Sequence, residues 1–357
     1  MTRDWKIGIF LSILLIVRIY FFYSSPSPFE NGDKIRISTT VRSEPIRYET
    51  SQYLRLEGLK IYLPLYPEVS YGDEIVVEGT VDGDKLKKPK LVEIKPAEGA
   101  IYKFRNKLLA FYRRSLPEPH SSLIAGVTIG SKSGIPAEFW DKLRNSGTAH
   151  VVVASGMNVS LVAGFLINFF ILFFKRRKAL VLALIGIWLY AVLSGFDAPI
   201  VRAAIMGSIA FLAQEMGRLN FAIRALFLSA AVMLFINPSY LTDVGFLLSF
   251  FATLGLIVIE PKIRKKLRIV PGMIREDLST TLSAQIAVTP ILYYFFGRVS
   301  VLSPIYNVLV LWTIVPVTLI GMIGGLVGLL IEPIGTWILW LSYPLTSWFA
   351  FVVKHTG

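Results

Sequence analysis

Apolar and polar positions alternate along this chain in three different periods, and each predicts a different kind of element. An apolar run from Ile7 to Tyr23 follows Arg3 and Lys6. It has the charged start and apolar middle of a signal peptide, but Phe22-Tyr23-Ser24-Ser25-Pro26 is a poor cleavage site, so it reads as an uncleaved anchor with its amino end inside. Between residues 33 and 96 the period drops to two. Lys34–Val41 and Tyr53–Glu57 alternate, and Leu59–Leu63, Glu74–Val81 and Lys90–Lys95 are further candidate strands. Turn signals at Tyr71-Gly72-Asp73 and Asp82-Gly83-Asp84 separate them, which predicts about five short strands, the size of a small OB-like barrel.

Helical spacing begins at Ile101. Ile101, Phe104, Leu108 and Tyr112 form an apolar stripe flanked by Lys103, Arg105, Lys107, Arg113 and Arg114, the pattern of an interfacial amphipathic helix. Those five cations are candidates for contact with lipid headgroups or with external DNA. Residues 120–147 carry Gly126, Gly130, Gly134 and Gly147 and predict short helices at or dipping into the surface. From 148 onward, apolar runs near the roughly 20 residues a bilayer requires cover 148–174, 179–196, 199–217, 220–236, 242–260, 278–296, 301–330 and 335–353. The run 301–330, with Pro304, Pro316 and the glycines of 321–328, reads as one tilted helix or as a broken one. The predicted fold class is therefore a polytopic α-helical membrane protein of about nine spans with a small extracytoplasmic β-domain. Its parts are an anchor at 1–29, the β-domain at 30–98, interfacial helices at 99–147 and a multi-span domain at 148–357.

Composition supports the membrane class: 54% of the 357 residues are hydrophobic and 17% charged, against about 25% charged in soluble domains. The net charge of +13 suggests nucleic acid, but its distribution changes that reading. Lys175–Lys178 and the 260–277 loop together account for seven of the thirteen units, and both fall inside by alternation from an inside amino end. Residues 30–98 sum to −2, whereas 99–147 carry +5. With few aromatics and this charge, the β-domain reads as a structural or gating element ahead of a DNA-capturing one.

Polar groups inside the apolar runs are the candidate site residues, because a charge at the bilayer centre costs about 2.5–3.5 kcal/mol on insertion scales. Ser155, Gly156, Asn158 and Ser160 interrupt the first run of the multi-span domain and suit a discontinuous helix around a cavity, with His150 in the same stretch. Asp197, Arg202 and Asp243 fall near the outer ends of adjacent spans, as polar pairs that pack helices or as substrate contacts. Gln285 and Asn307 are uncharged partners. No catalytic constellation emerges. The chain has no cysteine, His355 is the only histidine downstream of Ser155, and there is no zinc-protease helix, nucleotide-binding loop or metal-ligand set, so no cofactor is expected.

Three runs resemble the ComEC family of competence proteins. They are His150-Val-Val-Val-Ala-Ser-Gly-Met-Asn-Val-Ser-Leu-Val-Ala-Gly164, Ala198-Pro-Ile-Val-Arg-Ala-Ala-Ile-Met206 and Asn237-Pro-Ser-Tyr-Leu-Thr-Asp-Val-Gly-Phe-Leu-Leu-Ser-Phe250. The resemblance implies a channel in the cytoplasmic membrane that passes single-stranded DNA during natural transformation. Its implied partners are an external DNA receptor and pilus, a cytoplasmic ATPase and a separate nuclease. Ser155, Gly156, Asn158, Arg202, Gln285 and Asn307 would then line the path, while Asp197, Asp243 and His150 set helix packing. Asn158 stands where the family pattern has histidine, and the chain ends at Gly357, where many members continue into a metallo-β-lactamase-like domain. A polypeptide without nuclease activity is the expectation. The competing reading is a transporter or lipid-handling protein on the same scaffold.

Overall fold

The computed structural model describes residues 4–24, 29–48, 50–132, 134–152, 156–215, 222–297 and 302–356. These belong to two compact units, one of residues 1–28 and 201–299, the other of 29–200 and 300–357.

The larger unit opens with six strands: β1 (Lys34–Thr40), β2 (Ile46–Arg47), β3 (Ser51–Leu56), β4 (Leu59–Pro64), β5 (Glu74–Asp82) and β6 (Lys85–Lys95). Every expected strand forms, and β2 is an addition. The sheet order is β1-β5-β6-β4-β3-β2, with all pairs antiparallel except β4 with β6. The period-2 pattern turns Leu54, Leu56, Leu59, Ile61 and Leu63 inward, each at most 5% exposed, against Ile75, Val77 and Val81. Glu57 and Gly58 join β3 to β4 with φ of 47° and 88°, the two left-handed positions that a two-residue hairpin needs to match strand twist. The expected closed barrel is not formed as a ladder. β1 and β2 are the two edges of the sheet, because the chain between them leaves strand geometry over 41–45.

The helices that follow share one apolar core. Ala137–Ser146 packs on Tyr343–Thr356, which joins Ala100–Ser115 and His120–Ile129 around Ser303–Leu330. The last of these is a single 28-residue helix that runs through Pro316, so of the two readings of this run the unbroken one holds. Its glycines form a packing seam. Gly324 lies against Leu339, Gly325 against Leu108 and Tyr112, and Gly328 against Phe111 and the backbone of Gly335, so small residues let helices approach where larger ones would separate them. Two sequence expectations change here. The helix Ala100–Ser115 buries Arg105, Leu108, Leu109, Phe111, Tyr112 and Ser115, while Phe104 of the expected stripe is exposed. His120–Ile129, expected near the surface, is buried at all ten residues, because it is packed between Ser303–Leu330 and the helices around it. Gly156–Ile171 packs on Arg176–Leu193 in the same unit.

In the smaller unit, Asp4–Ser24 packs on Ala222–Ile236, and the Tyr23 hydroxyl donates to the Pro238 carbonyl at 3.4 Å. Val244–Val258 packs on Gly272–Phe296 at Gly255, where an added Cβ would stand 2.5 Å from the Ser283 carbonyl oxygen. Among the described residues, Ala149–Ile171 and Ser303–Leu330 are long and apolar enough to cross a membrane. Two bent pairs, Val244–Val258 with Glu260–Lys266 at 50° and Glu332–Trp340 with Tyr343–Thr356 at 47°, raise this to four if each is one span. Ala198–Leu212 and Ala222–Ile236 are shorter apolar helices. The protein is thus a helix-rich membrane protein with a six-stranded amino-terminal sheet.

Candidate polar sites in the helical units

Two of the quoted motifs meet at Arg202. The Pro199–Met206 run starts the helix Ala198–Glu215, and the Asn237–Phe250 run builds a 3-10 turn, Pro238–Thr242, followed by Val244–Val258. Asn237 caps the turn by accepting from the Ser239 N–H at 3.1 Å. Asp243 caps the next helix by accepting from the Phe246 N–H at 2.7 Å, which satisfies an orphan donor of the first turn. That fixed start presents Ser249, whose Oγ accepts from Arg202 Nε at 2.8 Å. The second Arg202 contact is Nη1 to Met206 Sδ at 3.1 Å. Arg202 is only 7% exposed, and no carboxylate among the described residues pairs with it. Asp243 is therefore a helix cap, and the polar pair expected of Arg202 is with a hydroxyl.

Asn158 lies in the larger unit at 0% exposure. Its Nδ2 donates to the Val127 carbonyl at 2.8 Å, and its Oδ1 has no hydrogen-bond partner among the described residues. Gly126, one residue earlier, admits Val152 so closely that a Cβ there would stand 2.6 Å from its carbonyl oxygen. Tyr112 donates to the Gly321 carbonyl at 2.9 Å in the same core. Asn307 is buried, donates to Ser303 Oγ at 3.2 Å, and also leaves its Oδ1 unpaired. Gly156 opens its helix half-buried, and Gln285 is half-buried on Gly272–Phe296. His150 lies on the short helix Ala149–Val152. Ser155 lies outside the described residues. Asn158 and Asn307 thus fall in one unit, and Arg202 and Gln285 in the other.

A dense polar cluster centres on Glu44, which was not among the sequence candidates. Glu44, in the stretch between β1 and β2, has a side chain 5% exposed and accepts from three groups: Arg105 Nη2 at 3.1 Å, Ser131 Oγ at 2.6 Å and the Lys132 N–H at 3.0 Å. Arg105 Nε donates to the Leu193 carbonyl at 2.8 Å, and its guanidinium lies 5.5 Å over the Tyr71 ring. Burial pushes the Tyr71 phenol up, with Tyr102 beside it adding to the shift. Lys132 Nζ pairs with Asp197 at 2.7 Å, so Asp197 packs through a lysine. This corrects the reading of Arg105. It is 2% exposed and ion-paired, which removes it from any contact with lipid headgroups or DNA. Its position three and seven residues before Leu108 and Tyr112 was the available signal, since that spacing puts it on the buried face. Lys103, Lys107, Arg113 and Arg114 are exposed, and Arg114 Nε is 3.2 Å from Glu332.

Comparison with known proteins gives a consistent picture. Residues 127–356 match the family model described as Competence protein. The chain is 28% identical over 211 residues to ComE operon protein 3 of Bacillus subtilis, covering 58% of this chain and 26% of that protein. It is 27% identical over 219 residues to Competence protein ComA of Neisseria gonorrhoeae, covering 56% and 30%. An uncharacterized protein of Aquifex aeolicus is 35% identical over 130 residues, 36% of this chain and 30% of that one. The matches span about a quarter to a third of these relatives' lengths. No solved structure matches. Since the family model covers well over half of the chain, this protein belongs to the ComEC family of competence proteins.

Proposed function

We propose that this protein passes single-stranded DNA across the cytoplasmic membrane during natural transformation, with its amino end inside and its β-domain outside. The observation that carries the reading is Arg202, a buried guanidinium that among the described residues is bonded only to a hydroxyl and a thioether, set in a family motif and met by a serine from another. A buried cation without a carboxylate is costly, and one in a membrane protein commonly faces a substrate path. Phosphate is an anion such a group binds well. Asn158 and Asn307, each with one amide oxygen unpaired among the described residues, are the uncharged polar groups of the proposed path, together with Ser155, Gly156 and Gln285.

The β-domain reading as OB-like is supported by its strand order, since β1 and β2 taken as one interrupted strand give a five-stranded order with one parallel pair. The nine spans of the sequence reading, the external receptor and pilus, the cytoplasmic ATPase and the separate nuclease are part of the same proposal. Deletion of the gene is expected to abolish transformation, and the wild-type gene to restore it. Because the chain has no cysteine, single cysteines at 155, 158 and 202 report the path through a membrane-impermeant thiol reagent. Labelling that DNA blocks supports it. Normal transformation in the deletion strain would instead favour a transporter or lipid-handling role.

A further inference from the structure

The helices Gly156–Ile171 and Arg176–Leu193 form a hairpin, in which Gly186 of the second lets Leu166 of the first approach closely. The tip of that hairpin puts two kinds of surface side by side. Leu172 is 76% exposed and Phe173 67%, and Phe174 is exposed as well. Phe173 and Phe174 continue the ring ladder of the first helix, with centroids 5.3 Å from Phe169 and 6.3 Å from Phe170. The apolar surface of the candidate span Ala149–Ile171 therefore runs past its last helical residue, and Lys175, Arg176, Arg177 and Lys178, all exposed, follow at once.

Local structure does not account for those four cations. They occupy the cap and the first turn of Arg176–Leu193, where positive charge opposes the helix dipole, and the Lys175 side chain caps none of the first N–H groups. No acidic residue lies between Asp141 and Asp197 in the sequence, so the hairpin supplies no counter-charge of its own. The positive-inside rule asks for lysines and arginines within about 15–20 residues of a span end, and it is met without gathering four at the start of a helix. The exposed side chains beside them select the kind of anion. A soluble anion or an acidic protein face leaves Leu172 and Phe173 in water, whereas an anionic phospholipid brings acyl chains to the apolar groups and a phosphate to the cations in one molecule. A basic cluster immediately after a membrane span is also the pattern that attracts anionic headgroups.

We infer that the tip of this hairpin is a binding site for anionic phospholipid, with Leu172 and Phe173 among the acyl chains and the four cations on headgroup phosphates. The site gives those cations a ligand as well as a part in setting orientation, and it holds whatever cargo the protein passes.

The test uses the full chain in nanodiscs of mixed phosphatidylcholine and phosphatidylglycerol. Because the chain has no cysteine, Leu172→Cys takes a single environment-sensitive fluorophore at the tip. Bromine on the phosphatidylglycerol chains is expected to quench it about threefold more than bromine on phosphatidylcholine at equal mole fraction. Rising salt should bring that ratio toward one, because exposed charges are screened. Lys175→Gln, Arg176→Gln, Arg177→Gln and Lys178→Gln together should do the same, while Arg176→Lys with Arg177→Lys should keep the ratio, since the attraction is one of charge. The salt titration leaves the cations in place, so it decides the matter where the glutamine variant fails to fold. Equal quenching by the two lipids, a ratio unmoved by salt, or a preference that survives in a folded glutamine variant would each overturn the site. No quenching by either lipid would overturn it as well, and would put the tip in water, free for a soluble partner.

Discussion

Arg105 and Arg202 are both hidden, at 2% and 7% exposure, and the protein treats them in opposite ways. Arg105 has a carboxylate, a backbone carbonyl and an aromatic ring around its guanidinium. Arg202 has a serine hydroxyl and a methionine sulfur. Taking an ion out of water costs several kcal/mol even after relaxation, and a hydrogen-bonded counter-ion offsets much of that where neutral partners offset little. The first arginine is therefore a fastener. The second has only neutral partners among the described residues, and the proposed DNA path supplies the reason for keeping it.

The largest effect expected from this contrast is at the fastener. Glu44→Ala leaves a buried guanidinium without its carboxylate and should cost about 3–5 kcal/mol, read as a lower melting temperature in detergent and less monodisperse protein. Replacing both partners, Glu44→Leu with Arg105→Met, should recover most of that loss, because two apolar groups leave no charge uncompensated. A melting temperature for Glu44→Ala equal to the parent's would remove the distinction. Next in size is the glycine seam. Gly335→Ala places a methyl against the Gly328 backbone, which has no flexible side chain to move, and should cost about 1–3 kcal/mol. Gly164→Ala, on a helix where the added methyl meets nothing within 4 Å, should be neutral or slightly stabilising in the same melt.

How far the sequence exposes this contrast depends on the range of the interaction. The strands were legible, because alternation at Lys34–Val41 and Tyr53–Glu57 is written in neighbouring residues. The helix at 100–115 was legible as a helix, but its buried face was off by one position, since Phe104 and Arg105 compete for the core and the choice depends on Glu44, 61 residues away in the chain. Glu44 itself had no local signature, because its cluster joins an irregular stretch, a loop and two helices. Arg202 and Asp243 were visible as polar groups in apolar runs. Their partners were not, because a cap and a serine contact are settled by packing. The unbroken course of Ser303–Leu330 was likewise open in the sequence, where prolines and glycines fit a kink as well as a packing seam.

A smaller effect separates Asp243 from Arg202, the group proposed to face DNA. Asp243→Ala removes the cap of Val244–Val258 and should cost about 1 kcal/mol, while Asp243→Asn, also a good cap, should cost less than half as much. Both belong in the thermal melt, and the order of the two variants is the informative result. Equal losses would mean that the carboxylate's charge matters there beyond capping.

The smallest change in stability is expected at Arg202, and it bears most directly on the contrast. Arg202→Met removes a buried charge that, among the described residues, only neutral groups accompany, so the melting temperature should stay at or rise above the parent's. Transformation should nevertheless fall about 10- to 100-fold, the equivalent of losing one hydrogen bond to a charged partner. Arg202→Lys keeps the charge but loses the planar fork, and should fall between the two. A stable variant with impaired uptake has no explanation as a packing defect. An Arg202→Met protein that melts several degrees early would make this arginine a second fastener and leave Asn158 and Asn307 as the groups to test for the path.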